Sequence, residues 1–289
     1  MNIRSESLYD SIVPNYAFLS DIHMDHIRSG DHGIHEFIES IKRTGPDGLI
    51  ITGDISNGAS IARHLKMLEQ GLQIPILFVT GNHDVWETSF DALHKQMMAL
   101  TASSTFLRYL PSTKYVEVSN VTAVVGANGW YDGTAGAGAK SRLIMNDWMR
   151  IRDYRERIQY AKTMKDVRMQ DIIDVSQEHL RGEIAHMHSA IKEAVKTHRS
   201  IIVCTHVPPW QETHVYNGAT GEPEGAPWFT SPTMATLLER AADAYPTNSF
   251  TVLCGHTHGK ISYQVRNNMV CHVAHAEYGD PKIESMLSL

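Results

Sequence analysis

Tyr16-Ala17-Phe18-Leu19-Ser20-Asp21-Ile22-His23 sets the pattern that decides this fold. A short apolar run ends, and two side chains able to bind a metal follow it, one residue apart. The pattern returns four times. Residues 48–52 lead into Gly53-Asp54, and residues 76–80 lead into Gly81-Asn82-His83-Asp84. Residues 201–205 lead into His206, and residues 250–254 lead into Gly255-His256-Thr257-His258. Short uninterrupted apolar runs read as strands buried on both faces. In open α/β sheets, ligands bind beyond the carboxyl ends of the strands. Side chains far apart in sequence can therefore meet on one rim. That repeated placement points to an enzyme, and to a metal-dependent hydrolase in particular.

Between these runs the apolar residues change period. Ile34, Phe37, Ile38 and Ile41 recur at helical spacing, as do Ile61, Leu65 and Leu68, and then Phe90, Leu93, Met97 and Leu100. The alternation of strand and helix predicts a largely parallel sheet with crossover helices. It then breaks. Residues 115–118 and 121–125 flank Ser119-Asn120 and predict a hairpin. Residues 126–138 are rich in Gly and Ala and read as loop. From Lys140 to about His198 the chain is charged and helical in pattern, with Arg150, Arg152, Arg155 and Arg157 close together. It reads as a helical insertion, spanning about 126–198 within a single domain of residues 1–289. The stretch 207–232 holds five prolines and three glycines and reads as a functional loop. Residues 260–265 and 268–275 look like two strands joined by Arg266-Asn267.

Composition narrows the class. The chain has 289 residues, is 42% hydrophobic and carries a formal net charge of -6. That length is ample for a core. The acidic balance does not favour a broad nucleic-acid-binding face. Cys204, Cys254 and Cys271 have neither zinc-type spacing nor a disulfide framework, and read as small buried hydrophobes. Met1 to Pro14 is polar and lacks the apolar region of a signal peptide. No apolar run approaches the roughly 20 residues needed to cross a bilayer. The expectation is a soluble, cytoplasmic protein with no membrane partner.

Asp21, His23, Asp54, Asn82, His206, His256 and His258 supply seven oxygen or nitrogen donors. These exceed what one ion takes, and suit two ions if one carboxylate bridges. Imidazole and carboxylate together suit transition metals such as Mn, Fe or Zn. Two-metal hydrolytic sites hold their ions roughly 3.5–4 Å apart. Two divalent ions, two carboxylates and a hydroxide leave a site near about +1, which attracts a phosphate.

The order Asp-x-His, Gly-Asp, Gly-Asn-His-Asp, His, Gly-His-x-His resembles the calcineurin-like metallophosphoesterase superfamily, over residues 16–258. The resemblance implies a two-sheet sandwich flanked by helices. It implies that Asp21, His23, Asp54 and His258 hold one metal, and that Asp54, Asn82, His206 and His256 hold a second, with Asp54 bridging. His83 matches the family's catalytic histidine, which stays off the metals and faces the scissile phosphate. The implied reaction is hydrolysis of a small phosphodiester or phosphomonoester, nucleotides included, by a hydroxide bridging two divalent or mixed-valence ions. One position departs from the pattern. Many relatives carry Gly-Asp-x-x-Asp, whose second Asp orients the catalytic histidine in protein phosphatases, and here that position is Asn57. The phosphoprotein-phosphatase extension Gly-Asp-x-Val-Asp-Arg-Gly is also missing, which favours small-molecule substrates.

Two rival readings stand beside this one. A metal-dependent nuclease would need a groove for a strand. A non-catalytic protein-binding scaffold should have lost donors or His83, and this chain retains them all. Other residues carry paired readings: Asp25 and His26 as cleft lining or loop polarity, and Asp84 as a support for His83 or a helix cap. Trp130, Tyr131 and Asp132 could form a substrate wall or pack in the core. Trp210, His214, Tyr216 and Trp228 could touch substrate, and the arginines between 142 and 157 could bind a second phosphate or face solvent.

Overall fold

The computed structural model describes residues 13–216 and 219–289, so most of the polar N-terminal stretch and the side chain of Tyr216 lie outside the described residues. The first strands are β1 (Asn15–Leu19), β2 (Gly48–Thr52), β3 (Ile76–Val79) and β4 (Leu107–Tyr109). Next come β5 (Val116–Glu117), β6 (Thr122–Gly126), β7 (Ser200–Cys204) and the short pair β8 (Val215–Tyr216) and β9 (Ala219–Thr220). The last are β10 (Ser249–Cys254), β11 (Ile261–Arg266), β12 (Met269–Val273) and β13 (Ser285–Ser288). Two larger sheets result. One has the order β13-β1-β2-β3-β4, and the other β11-β12-β10-β7-β6-β5. β1 to β4 are parallel, with β13 antiparallel on the β1 edge. β6, β7, β10 and β12 are parallel, with antiparallel β5 and β11 at the edges. The hairpin expected around Ser119-Asn120 is β5–β6, with Val116 opposite Val124.

Alternation along each strand explains why the runs lack polar breaks. Tyr16, Phe18, Ile50, Leu77 and Val79 of the first sheet meet Val124, Ile202, Cys204 and Leu253 of the second in one cluster. The residues between them, such as Ala17, Leu19, Leu49, Ile51 and Phe78, face the other way and join the core under the helices. Both faces are dry, and burying one such Leu, Ile or Phe contributes about 1.5–3 kcal/mol.

Helices α1 (Asp31–Thr44), α2 (Ile61–Leu72) and α4 (Phe90–Ala102) follow the predicted periods and bury Ile41, Leu65, Leu68 and Met97. Between α2 and α4 lies the single turn α3 (Asn82–Val85). In the charged region, the apolar residues from Ile172 to Val195 that read as a second helix or pair lie on or next to one helix. The region first holds the short α5 (Asp147–Arg150) and α6 (Arg152–Arg157), and a continuous helix begins only at α7 (Met169–Ala194). Trp148, Ile151 and Tyr154 are each fully buried, so the chain bends to tuck in all three anchors. α7 connects the parallel neighbours β6 and β7. After the β8–β9 pair come α8 (Ala226–Phe229) and α9 (Pro232–Ala244). No helix among the described residues is long and apolar enough to cross a membrane. Cys204, Cys254 and Cys271 are free and buried.

Candidate metal centre

All seven donors stand just past carboxyl strand ends. Asp21 and His23 follow β1, Asp54 follows β2, Asn82 follows β3, His206 follows β7, and His256 and His258 follow β10. Each strand must turn sharply to present a side chain on the rim. Asp21, His23, Asp54, His256 and His258 all take positive φ, between 36° and 67°. These are five of the eight non-glycine residues with positive φ among the described residues. Such conformations cost on the order of 1–3 kcal/mol each and gather where function requires them. Two glycines make room. Gly53 has φ 90°, and a Cβ there would stand 2.6 Å from His206 Nδ1. A Cβ on Gly255 would collide with Ser20 and the Asp21 carboxylate.

Hydrogen bonds fix which atom each side chain presents. His206 Nδ1 lies 2.8 Å from the Thr52 carbonyl, so Nδ1 carries the proton and Nε2 is left bare. His256 Nε2 lies 3.0 Å from the Trp228 carbonyl, so its Nδ1 is left bare. Asn82 Nδ2 donates to Asp147 Oδ1 at 2.9 Å, which turns Asn82 Oδ1 inward. Those three lone-pair atoms then face one another. Asn82 Oδ1 is 3.0 Å from His206 Nε2 and 2.9 Å from His256 Nδ1, and Asp54 Oδ1 is 3.4 Å from His206 Nε2. Neither imidazole brings a proton to this face. Burial holds His256 down to about 3, with His206 adding to the effect, and burial lowers His206 as well. Three bare lone pairs converging on one another repel unless a cation sits among them, and neutral imidazoles are the form that binds metal.

A second set adjoins the first. His258 Nε2 is 3.3 Å from Asp21 Oδ1 and 3.4 Å from His23 Nε2, and His23 Nε2 is 3.7 Å from Asp54 Oδ2. Asp54 thus faces both sets, one oxygen to each. Asp21, His23 and His258 form one compact group that could hold a metal ion, and Asp21, Asp54 and His206 form another. The charges agree. Asp54 is pushed well above the usual carboxylate range by burial, then by the carboxylates of Asp21 and Asp84. Burial opposes ionisation of Asp21 too, but His258, His206 and His23 hold it low. A centre that buries this much negative charge fits cations.

His83 sits beside the donors. Its backbone N–H donates to Asp54 Oδ1 at 2.9 Å, and its ring stacks on Trp86 with 3.5 Å between centroids. Burial lowers it to about 2, with His23 and His206 adding to the effect. His83 Nε2 is 3.9 Å from Asp54 Oδ2, so His83 also groups with His23 and Asp54. A cleft of about 590 Å³ opens over it, lined among others by Asp25, His26, Asn57, Trp86, Arg150 and Tyr278. A larger cleft of about 860 Å³ runs between α4 and α7; neither cleft is lined by any of the seven donors, and His83 lines the smaller one.

The paired readings now separate. Asp25 and His26 line the cleft. Asp84 accepts from the backbone N–H groups of Ser56 and Gly81 at 2.8 Å, so it ties the Asp54 loop to the Asn82 turn and does not bond to His83. Asn57 donates to Asp25 at 3.0 Å and accepts from its own loop. Trp130, Tyr131 and Asp132 are buried in the core. Trp210 and Trp228 are buried, not exposed to substrate: Trp210 Nε1 donates to Glu239, and Trp228 packs on Trp148. Their hydrophobic surface wins over solvent contact. His214 is buried and stacks on Phe229. Of the arginines, Arg150 alone lines the cleft, held by Glu87 at 2.8 Å and lying 4.3 Å over Trp86. Arg157 is paired with Glu178. Sequence reasoning missed Asp147, Tyr278 and the Trp228 carbonyl. Asp147 reads as one more acid in a charged run, and a carbonyl has no residue-type signature.

The pattern of the calcineurin-like phosphoesterases matches residues 14–260, and the chain belongs to that family. Solved structures share the fold. Phosphopantetheinyl hydrolase (PptH) from Mycobacterium tuberculosis superposes with a TM-score of 0.64 at 14% identity, covering 93% of this chain and 91% of that one. A dimetal phosphatase from Danio rerio gives 0.55 at 11% identity, covering 93% and 89%. A search of curated protein sequences returned no match.

Proposed function

We propose that this chain is a binuclear metallophosphoesterase that hydrolyses a small phosphodiester or phosphomonoester, with nucleotides among the candidate substrates. The observation carrying this reading is the convergence of Asn82 Oδ1, His206 Nε2, His256 Nδ1 and Asp54 Oδ1, with the ring protons of both histidines turned away to carbonyls. Asp54, Asn82, His206 and His256 would hold one ion, and Asp21, His23, Asp54 and His258 the other. Ions of Mn, Fe or Zn suit this donor set. When bound, two such ions supply Lewis-acid charge for phosphoryl oxygens and activate water at neutral pH.

The chain's own residues do the rest. His83 faces the cleft, stacked and buried, where its ring N–H can donate a hydrogen bond to a departing oxygen. Membership of a family of mostly phosphoester hydrolases supports the reaction class. The size of the cleft supports a small ester, and its one arginine offers no basic track for a strand. Metal analysis coupled to a substrate panel tests the proposal. The panel holds bis-p-nitrophenyl phosphate, p-nitrophenyl phosphate, cyclic nucleotides, dinucleotides and single-stranded DNA. Turnover of small esters in the metal-loaded protein is expected, and activity confined to DNA would favour a nuclease.

A further inference from the structure

Tyr278 lies beyond the last shared motif, in the loop between β12 and β13. Its ring covers the donors, with centroids 4.4 Å from His23, 5.0 Å from His26 and 5.1 Å from His258. Its Oη is 3.4 Å from His83 Nε2, a long hydrogen bond that yields readily to a better partner. It lines the cleft and is half exposed.

The position of the His83 proton follows from its surroundings. His83 Nδ1 is buried with no hydrogen-bond partner among the described residues. A proton there would bury an unsatisfied donor, at a cost of about 1–3 kcal/mol. On Nε2 the proton faces Tyr278 and the cleft. None of the hydrogen bonds of Asn57 goes to His83, so the orienting carboxylate of related phosphatases has no counterpart at that position. Trp86 stacks on the ring from behind, and Tyr278 is the polar group in front.

Resting on the phosphoesterase reading, we propose that Tyr278 and His83 act as a donor pair for one substrate oxygen, that of the leaving group. Two donors 3.4 Å apart share positions about 3 Å from both, the geometry required of paired donors to a developing charge. As the bond from phosphorus to the leaving oxygen breaks, its electron pair stays on that oxygen, and the Nε2–H donates a hydrogen bond to it without leaving the ring. The phenol O–H stabilises the same oxygen without giving up its own proton. Water supplies the new oxygen on phosphorus and releases a proton to solvent, and the departing oxygen takes a proton from solvent.

Tyr278→Phe keeps the ring over the imidazoles and removes only the hydroxyl. With metal content and melting temperature at wild-type values, kcat on phenyl phosphate should fall about 10- to 100-fold, with KM within about threefold. The loss on p-nitrophenyl phosphate should be smaller, because that leaving group needs little help. Tyr278→Phe combined with His83→Ala should be no slower than His83→Ala alone, since a pair acting as a unit is not additive. An active wild type with unchanged kcat in Tyr278→Phe, equal losses on both esters, or multiplied losses in the double variant would each overturn the inference. A metal-loaded wild type inactive on every ester would overturn the phosphoesterase reading itself, and this inference with it.

Discussion

Asn82 presents its oxygen to His206 and His256 because Asp147, 65 positions along the chain, holds its nitrogen at 2.9 Å. Asp147 also accepts from Trp86 Nε1 at 2.8 Å and from the Tyr131 hydroxyl at 3.2 Å. One buried carboxylate therefore sets the direction of a metal-facing amide and fixes the ring on which His83 stacks. Asp147→Ala frees the amide to turn. Partners behind metal-facing groups typically cost 10–100-fold in affinity or activity when removed, so affinity for one of two ions should fall by about that factor. Stepwise metal titration checks this, with the other ion as the internal reference.

Removing metal should destabilise the fold. Asp54 is buried and pushed above its usual range by burial and by Asp21 and Asp84, so an ion there relieves repulsion. A ligand at about 100 times its Kd adds about 2.7 kcal/mol. For a chain of 289 residues, that corresponds to a rise in Tm of about 4 °C for each ion. Thermal unfolding with and without a chelator should show the difference, and re-addition of Mn or Zn should restore it. Superimposable curves would speak against buried ions.

His83 and His206 should separate cleanly. His83→Ala should retain both ions and lose hydrolysis by about 10²–10³-fold, the range for removing one donor to a developing charge. His206→Ala should lower the occupancy of one ion. Elemental analysis of both variants beside their kcat values decides. If His83→Ala sheds metal as His206→Ala does, its grouping with His23 and Asp54 marks it as a ligand.

Trp228 should matter for stability before selectivity. It is fully buried against Trp148, its Nε1 donates to Ser141, and its carbonyl orients His256. Trp228→Ala should cost about 3–5 kcal/mol, as large-to-small core changes do. Denaturant unfolding measures it. A stable variant with altered substrate ratios would instead place the indole in the substrate's path.

The strand ends are legible in the sequence for a physical reason. A strand covered on both faces must be apolar throughout, so the first polar side chains after it stand out. Asp21, Asp54 and His206 are conspicuous on that ground alone. Helix faces such as Ile34, Phe37, Ile38 and Ile41 are legible through their period. Asp147 and Tyr278 are not, because what marks them is a spatial neighbour far away in the chain. The edge strand β13 is four residues long and mostly exposed, so it carries no alternation to read. The bends of residues 140–168 are hidden because their anchors, Trp148, Ile151 and Tyr154, sit at spacings that a single helix would also show.

The most direct test is the number of ions per chain in the reconstituted wild type and in Asp54→Ala. Asp54 offers Oδ2 to the His23 set and Oδ1 to the His206 set. Two transition-metal ions per wild-type chain are expected, with both occupancies falling together in Asp54→Ala. One ion in the saturated wild type, or full occupancy of both in Asp54→Ala, would contradict a centre built on a shared carboxylate.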